Sequence, residues 1–200
     1  MKILITGFDP FGGETINPAS EAVRLVRAPA GVELIRMPDI PTVFSVSKLV
    51  CSEILKGKPD AVLCIGQAGG RRAVTPERIG INLMDAGIPD NRGFQPKDLP
   101  IEKLGKAAYF STLPVKKIAE AITLEGIPCE ISNSAGTFVC NSLLYSVLSF
   151  IEKEQLPIRA GFLHVPFLPS QTVKKPGYPS LPMEQIVAAL EIALKVIAKT

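Results

Sequence analysis

Two side chains in this sequence have the chemistry of a nucleophile and a general base. His164 is the only histidine among 200 residues, and it ends a short apolar run. Because histidine titrates near neutral pH without perturbation, a general base acting there is expected to be His164. Cys140 lies in Ser134-Ala-Gly-Thr-Phe-Val-Cys-Asn141, where a predicted strand passes into a predicted helix. The pair predicts a thiol hydrolase; taken singly, each residue is also explained by burial in the core.

The place of Cys140 in the first turn of a predicted helix bears on its acidity. The first N–H groups of a helix have no partner within the helix, and the helix dipole is positive at that end. Both effects stabilise a thiolate, so we expect a lowered pKa for Cys140. The same N–H groups are candidates for an oxyanion hole.

A nucleophile–base pair of this kind usually needs a third group that fixes the imidazole tautomer. The acidic residues that follow predicted strands or loops are Glu14, Asp39, Glu77, Asp85 and Asp90. Their spacing from His164 does not choose among them.

Two glycine-rich turns follow predicted strands, which is where ligand sites form in parallel sheets. The first, Thr6-Gly-Phe-Asp-Pro-Phe-Gly-Gly13, fits neither of the common phosphate-binding glycine patterns. It places Phe8 and Phe11 in a loop, where they either line a pocket or pack beneath the loop. The second, Ile65-Gly-Gln-Ala-Gly-Gly70, places Gln67 at a strand end, which favours contact with a ligand.

Strand-like and helix-like segments alternate along the chain, which predicts a mostly parallel sheet covered on both sides. The predicted strands are Lys2–Phe8, Val32–Met37, Ala61–Ile65, Arg78–Met84, Cys129–Ser132 and Arg159–Val165. The predicted helices are Ala19–Val26, Phe44–Leu55, a segment from Thr112 and Pro114 to Gly126, Phe138–Lys153, and a closing helix with Ile186, Ala189, Leu190, Ala193, Leu194 and Ile197 on one face. Residues 85–108 form a long loop, which we expect to be functional or a subunit contact.

Composition indicates one globular domain over residues 1–200. The net charge of +3 comes from scattered basic pairs, such as Arg71-Arg72, and lacks the clustered stripe that binds nucleic acid. No apolar run reaches the length of a membrane-spanning helix, and the first residues lack a signal-peptide core, so we expect a soluble cytoplasmic protein. Four cysteines without Cys-x-x-Cys spacing, with one histidine, complete no common zinc set; we expect free thiols and no metal.

Several segments together resemble the type I pyroglutamyl peptidases, also called pyrrolidone-carboxylate peptidases. They are Thr6-Gly-Phe-Asp-Pro-Phe-Gly-Gly13 with Asn17-Pro18, Gly66-Gln-Ala-Gly-Gly-Arg71, Pro76-Glu-Arg78, Ile88-Pro-Asp-Asn91, Ala108-Tyr-Phe-Ser-Thr-Leu-Pro114, Ser134-Ala-Gly-Thr-Phe-Val-Cys-Asn141 and His164-Val-Pro166. The resemblance runs in order along nearly the whole chain, and several of the segments are long.

The resemblance implies roles that spacing leaves open. The family's catalytic cysteine, histidine and glutamate fall on Cys140, His164 and Glu77. Its substrate-binding residues fall on Phe8, Phe11, Gln67, Phe138 and Val139, and Asn17 matches a polar residue near the first loop. The resemblance further implies a single catalytic domain with an α/β/α sandwich of the phosphorylase/hydrolase type. It also implies activity without a cofactor and a homo-oligomer, commonly a tetramer.

One position departs from the family's pattern. The family usually has an arginine before Ile-Pro-Asp-Asn, and its side chain is thought to approach the oxyanion; here the position is Gly87. Three alternatives follow: backbone N–H groups suffice, Arg78 or Arg92 substitutes, or activity is impaired. Gly87 is also a candidate for a positive φ angle, which glycine adopts readily.

Together with the Cys140–His164 pair, the resemblance implies a cysteine exopeptidase that removes N-terminal pyroglutamate from peptides through a Cys-His-Glu triad and a thioacyl-enzyme. Aromatic walls suit a flat lactam, and amide groups suit its N–H and C=O. A site built this way rejects proline, which lacks the lactam carbonyl, because polar groups of the site would be left unpaired. Two other interpretations stand beside it: a catalytically impaired relative, and a phosphorylase-like nucleoside-binding α/β protein.

Overall fold

Four parallel strands form the centre of the molecule. In the computed structural model, which describes residues 1–200, the strands are β1 (Lys2–Phe8), β2 (Glu33–Ile40), β3 (Ala61–Gln67), β4 (Thr75–Glu77), β5 (Ile79–Ile81), β6 (Ala108–Phe110) and β7 (Arg159–Val165). The main sheet has the order β2-β1-β3-β7-β4, parallel except for β4. β3 is buried at all its positions, as a parallel strand covered on both faces must be. The predicted mostly parallel sheet is confirmed.

Helices cover both faces of this sheet. They are α1 (Pro18–Leu25), α2 (Ser47–Gly57), α3 (Val115–Leu124), α4 (Val139–Lys153), α5 (Pro169–Thr172) and α6 (Met183–Ala198). Because side chains alternate along a strand, the central strands contribute side chains to two separate hydrophobic cores, one on each face of the sheet. Ile3, Leu63 and Leu163 pack with α1, α3 and α6. Leu4, Val62 and Phe162 pack with α2 and α4. The result is a single-domain α/β/α sandwich.

Two predicted strands are wrong in their details. Of the predicted strand Arg78–Met84, only β5 forms, and it pairs antiparallel with β6 in a second, two-stranded sheet. The strand that joins the main sheet, β4, lies just before the predicted bounds. The predicted strand Cys129–Ser132 forms only isolated parallel bridges with residues 74 and 77. Pro76 lies between those bridges and has no N–H, so the ladder is interrupted there.

The remaining predictions agree with the structure to within a few residues. The predicted helix Phe44–Leu55 begins with a 3₁₀ turn at Phe44–Val46 and continues as α2. The loop that begins near residue 85 carries one isolated pairing, between Met84 and Leu99. All six apolar residues predicted on one face of the closing helix are buried. The four-residue helix α5 was not predicted.

Gly7 permits a close approach of α1 to β1. A Cβ atom at this position would lie 2.7–2.8 Å from the backbone of Ala19 and Ser20. Only a residue without a Cβ fits there, so the first glycine after Thr6 serves packing between helix and strand. None of the helices is both long and apolar enough to span a bilayer.

Candidate active site

Three neighbouring strands bring their polar residues to one face of the sheet. His164 of β7 is in register with Gly66 of β3 on one side and with Thr75 of β4 on the other. Glu77, two residues further along β4, therefore lies diagonally across from His164 on the same face. Its Oε1 is 2.7 Å from His164 Nδ1, and both side chains are almost fully buried. Of the acidic candidates, Glu77 is the one that contacts the imidazole.

Arg71 completes this contact from the other side of the carboxylate. Its Nη1 donates to Glu77 Oε1 at 2.5 Å, and its Nη2 donates to the Ser134 carbonyl oxygen at 3.0 Å. The second carboxylate oxygen, Oε2, is buried and has no hydrogen-bond partner. Arg71 thus links Glu77 to the loop that leads to Cys140.

The protonation states follow from burial and these charges. Burial raises the pKa of Glu77, but the interaction with His164, followed by the nearby Ser132 hydroxyl and the Arg71 charge, outweighs burial, so this pKa lies below its ordinary value. Burial lowers the pKa of His164, Arg71 lowers it further, and Glu77 offsets only part of the decrease. At neutral pH the carboxylate is therefore charged and the imidazole neutral. A carboxylate only accepts hydrogen bonds, so Nδ1 carries the proton and Nε2 is the free base.

Cys140 approaches the same face from helix α4, of which it is the second residue. A Cβ atom added to Gly66 would lie 2.9 Å from its Sγ and 2.8 Å from the Phe162 ring. The sulfur therefore rests against Gly66, the residue whose neighbour in register is His164. Thiol and imidazole lie side by side on the sheet because position 66 has no side chain. No hydrogen bond joins Sγ to the ring in this state.

The expectation of a lowered thiol pKa is wrong for this resting state. Burial raises the pKa of Cys140 to about 12, the Glu77 charge adds to the increase, and Arg71 opposes it. Burial therefore raises the thiol pKa by more than the position at the start of the helix lowers it. At neutral pH the pair is therefore a neutral thiol beside a neutral imidazole.

The first turn of α4 presents the expected N–H groups. The backbone N–H groups of Val139, Cys140 and Asn141 have no acceptor in the protein. The buried Asn141 side chain holds the chain opposite them: it accepts from Ile81 N–H and donates to the carbonyls of Ile81 and Leu83. Nothing in the sequence marked Asn141 apart from its place next to Cys140.

The predicted ring-binding aromatics fall into two groups. Phe8 is the last residue of β1 and is buried against Phe162, with ring centroids 6.3 Å apart, so it packs beneath the site rather than in a loop. Phe11 and Phe138 are half-buried, and their centroids are 5.9 Å apart. That distance is direct ring contact. They form one apolar wall, and a flat ring does not fit between them as they stand.

The two predicted amide residues are held in different ways. Asn17 caps α1: its Oδ1 accepts from Ala19 N–H and its Nδ2 donates to the Asp9 carbonyl. Both of its amide ends are thus engaged by the chain. Gln67 ends β3, next in sequence to Gly66, and its Oε1 accepts from the Gln171 amide.

Gly87 lies in open space. No atom is within 4 Å of where its Cβ would be, and its φ is not among the positive values. The idea that a positive φ requires glycine there is wrong.

Neither arginine that was proposed to substitute for the missing side chain contacts the Glu77–His164 pair. Arg78 donates to Asn133 at 2.7 Å, and Arg92 lines a cleft of about 710 Å³ that contains none of the predicted catalytic or substrate-binding residues. The cation in contact with the Glu77–His164 pair is Arg71, which sequence reasoning missed. The signals for Arg71 were its place in the turn after β3 and its place in one of the segments that resemble the family.

Comparisons with known proteins agree over the full length. The model of the pyroglutamyl peptidase family matches residues 1–200. The pyrrolidone-carboxylate peptidase of Thermoanaerobacter sp. (strain X514) is 53% identical over 201 residues, covering 100% of this chain and 98% of that protein. The one from Streptococcus suis (strain 05ZYH33) is 54% identical, covering 100% and 93%.

Solved structures give the same result. The crystal structure of pyroglutamyl peptidase I from Bacillus amyloliquefaciens matches with a TM-score of 0.96 and 47% identity, over 100% of this chain and 95% of that one. A mutant pyrrolidone carboxyl peptidase from Pyrococcus furiosus matches with a TM-score of 0.94 and 38% identity, over 100% and 99%.

The charges around Cys140 predict opposite effects on its alkylation. Arg71→Met should slow modification by iodoacetamide at neutral pH, because the Arg71 charge lowers the thiol pKa. Glu77→Gln should accelerate it, because the carboxylate raises that pKa. Rates are measured by mass spectrometry of the Cys140 peptide, with the half-buried Cys129 as internal reference. Modification of Cys140 far ahead of Cys129 in the unaltered protein would restore the low-pKa expectation.

Proposed function

The chain belongs to the pyroglutamyl peptidase family, and we propose that Cys140, His164 and Glu77 carry out its reaction within one catalytic domain of residues 1–200. The protein is a cysteine exopeptidase that removes an N-terminal pyroglutamyl residue from peptides. The observation that carries the residue assignment is the 2.7 Å contact of Glu77 with His164 beside the glycine against which Cys140 rests.

Acylation begins with a proton transfer in a buried site. His164 Nε2 accepts the Cys140 proton while the sulfur attacks the carbonyl carbon of the pyroglutamyl peptide bond. Glu77 accepts a hydrogen bond from Nδ1–H throughout and stabilises the imidazolium that forms. The oxygen that becomes negative is served by free N–H groups of the first turn of α4. The imidazolium then donates its proton to the departing amine, which leaves a thioester on Cys140.

Deacylation reverses the roles of the same groups. A water molecule replaces the amine, and Nε2 removes its proton as it attacks the thioester carbonyl. Collapse of the second tetrahedral intermediate breaks the C–S bond, and the sulfur recovers its proton from the imidazolium. Free pyroglutamate leaves, and the neutral thiol–imidazole pair is restored. No step needs a cofactor or a metal.

The lactam ring of the substrate is placed against the wall formed by Phe11 and Phe138. Phe44 supports this wall from behind, 5.4 Å from Phe138 between centroids. Val139 begins α4 beside Cys140, and Phe8 packs against Phe162 beneath the site. Gln67 supplies a polar partner for the ring, while Asn17 holds the first loop in place and reaches the substrate only if its capping bonds change.

We also propose a cellular location and an oligomeric state. The four free thiols support a reducing, cytoplasmic location. The family resemblance and the exposed apolar side chains Leu104, Phe110 and Leu124 support a homo-oligomer, which we propose to be a tetramer. The substrates are N-terminal pyroglutamyl peptides, and we propose no nucleic-acid or membrane partner. The phosphorylase-like alternative is not favoured by the relatives described above.

The central assay measures release of a chromophore from a pyroglutamyl amide beside the prolyl and glutamyl amides. We expect turnover of the pyroglutamyl amide alone, and we expect Cys140→Ala to abolish it while 2-pyrrolidone still raises the melting temperature. Stabilisation by ribose phosphates but not by 2-pyrrolidone would instead support a nucleoside-binding protein. A folded protein without turnover would support an impaired relative.

The pH profile of kcat/KM tests the environment of His164. The base must be neutral to accept the Cys140 proton, so activity falls as pH drops through its pKa. Because that pKa is lowered, the acid limb should lie below the ordinary histidine value of about 6.5. Arg71→Met should move the limb to higher pH and Glu77→Gln to lower pH, since Arg71 lowers and Glu77 raises this pKa. Arg71→Lys, which keeps the charge, is the control. Shifts of both variants in the same direction would contradict the assignment.

Gly87→Arg tests whether the missing arginine limits the rate. If that side chain stabilises the oxyanion, kcat should rise by up to about 10²–10³, with KM nearly unchanged because the charge exists only in the transition state. Gly87→Ala should behave like the parent, since the position has space and an ordinary φ. An unchanged or reduced kcat in Gly87→Arg would show that the N–H groups of α4, with Arg71 nearby, already suffice.

A further inference from the structure

A buried glutamine lies behind the end of β3. Gln171 belongs to the short helix α5, and its side chain is about nine-tenths buried. Its Oε1 accepts from Leu168 N–H at 2.9 Å. Its Nε2 donates to Glu14 Oε2 at 3.0 Å and to Gln67 Oε1 at 2.8 Å. The mechanism described so far makes no use of this side chain.

Each bond in this cluster has only one possible direction. The Leu168 N–H can only donate, so the atom of Gln171 that faces it must be the oxygen. The amide nitrogen of Gln171 is then the atom that faces Glu14 and Gln67. Because an NH₂ group only donates, the atom of Gln67 that receives its bond must be Oε1. The orientation of the Gln67 amide therefore follows from a backbone N–H two links away.

The charge on Glu14 reinforces this order. Burial raises the pKa of Glu14, but hydrogen bonds from Lys175 and Gln171 outweigh burial, and the pKa lies below its ordinary value. Glu14 is therefore ionised at neutral pH and can only accept. Lys175 pairs with its other oxygen, Oε1. A reversed Gln171 amide would place oxygen against a carboxylate, which is unfavourable.

The other end of the Gln67 amide has no partner in the protein. Nε2 makes no hydrogen bond, yet it is not among the buried unpaired atoms, so it reaches solvent at the carboxyl end of β3. A lactam carbonyl is an acceptor that this NH₂ group could bind. Proline has no such carbonyl, so the orientation of Gln67 decides whether the site favours pyroglutamate over proline.

We propose that Gln171 is a positioning residue that fixes the Gln67 amide with its NH₂ group towards the substrate lactam carbonyl. This proposal rests on the proposed function, since it concerns the same ring site. It assigns to α5 a role in substrate recognition, exerted through Gln67 without contact with the ring. The specificity of the site would thus depend on the direction of hydrogen bonds that begin at Leu168.

Two substitutions with different hydrogen-bonding capacity test the proposal. Gln171→Ala frees the Gln67 amide, and KM for the pyroglutamyl amide should rise about two- to tenfold with kcat little changed. The double variant Glu14→Gln with Gln171→Glu places an acceptor against Gln67, because residue 14 then donates to Glu at 171. Gln67 should turn over and present its oxygen to the lactam carbonyl, raising KM by roughly ten- to a hundredfold.

The control and the readouts separate this role from support of the fold. Ser170→Ala, at an exposed position of α5 whose side chain makes no hydrogen bond, should match the parent. The inhibition constant of 2-pyrrolidone should follow the same order as KM, and melting temperatures report stability separately. A larger loss in Gln171→Ala than in the double variant, or unchanged constants in both, would overturn the proposal.

Failure of the proposed function would have a different appearance. If the parent protein does not hydrolyse the pyroglutamyl amide, calorimetric binding of 2-pyrrolidone replaces KM. The same order of affinities would then support the role of Gln171 in a ring-binding protein, and equal affinities would contradict it.

Discussion

The parallel pairing of β3 with β7 sets the position of the groups that we propose to react. It places Gly66 beside His164, and the antiparallel pairing of β4 with the other edge of β7 adds Glu77 on the same face. A slip of one residue would turn His164 to the opposite face, where α6 packs, and away from α4. Because these strands also contribute to both hydrophobic cores, the register that builds the fold is the register that aligns the site.

Burial of a carboxylate is the main electrostatic cost of this arrangement. Glu77 is fully buried, and its charge is retained because Arg71 and His164 share one of its oxygens. Removing Arg71 would leave an uncompensated charge in a medium of low polarity. The same burial keeps Cys140 protonated and His164 neutral at rest. The site therefore holds a single anion, Glu77, matched by one cation, Arg71.

The proposed recognition of the ring has a different physical basis from the proposed chemistry at Cys140. Phe11 and Phe138 provide apolar contact area, which has no preferred direction, whereas the amide of Gln67 forms hydrogen bonds, which are directional. A side-chain amide has nearly the same shape in either orientation, so packing alone cannot choose between a donor and an acceptor at the pocket. Only hydrogen bonds of fixed direction can choose between the two orientations. Gln171 provides such a bond to Gln67, because its own amide is oriented by the Leu168 N–H and the Glu14 carboxylate. Gly66, against which Cys140 rests, and Gln67, which Gln171 orients, are consecutive residues at the end of β3.

The alternation of strand-like and helix-like segments was enough to predict a mostly parallel sheet covered on both faces, and residue types were enough to single out Cys140 and His164 as a candidate pair. Resemblance to a family, rather than spacing, singled out Glu77. The division of residues 75–81 between two sheets and the contact of Arg71 with Glu77 depend on pairings between segments far apart in sequence. The raised pKa of the thiol and the direction of the Gln67 amide were equally outside the reach of local pattern. Burial and hydrogen-bond polarity depend on residues that only the fold brings together, and those residues lie on β3, β4, β7, α4 and α5.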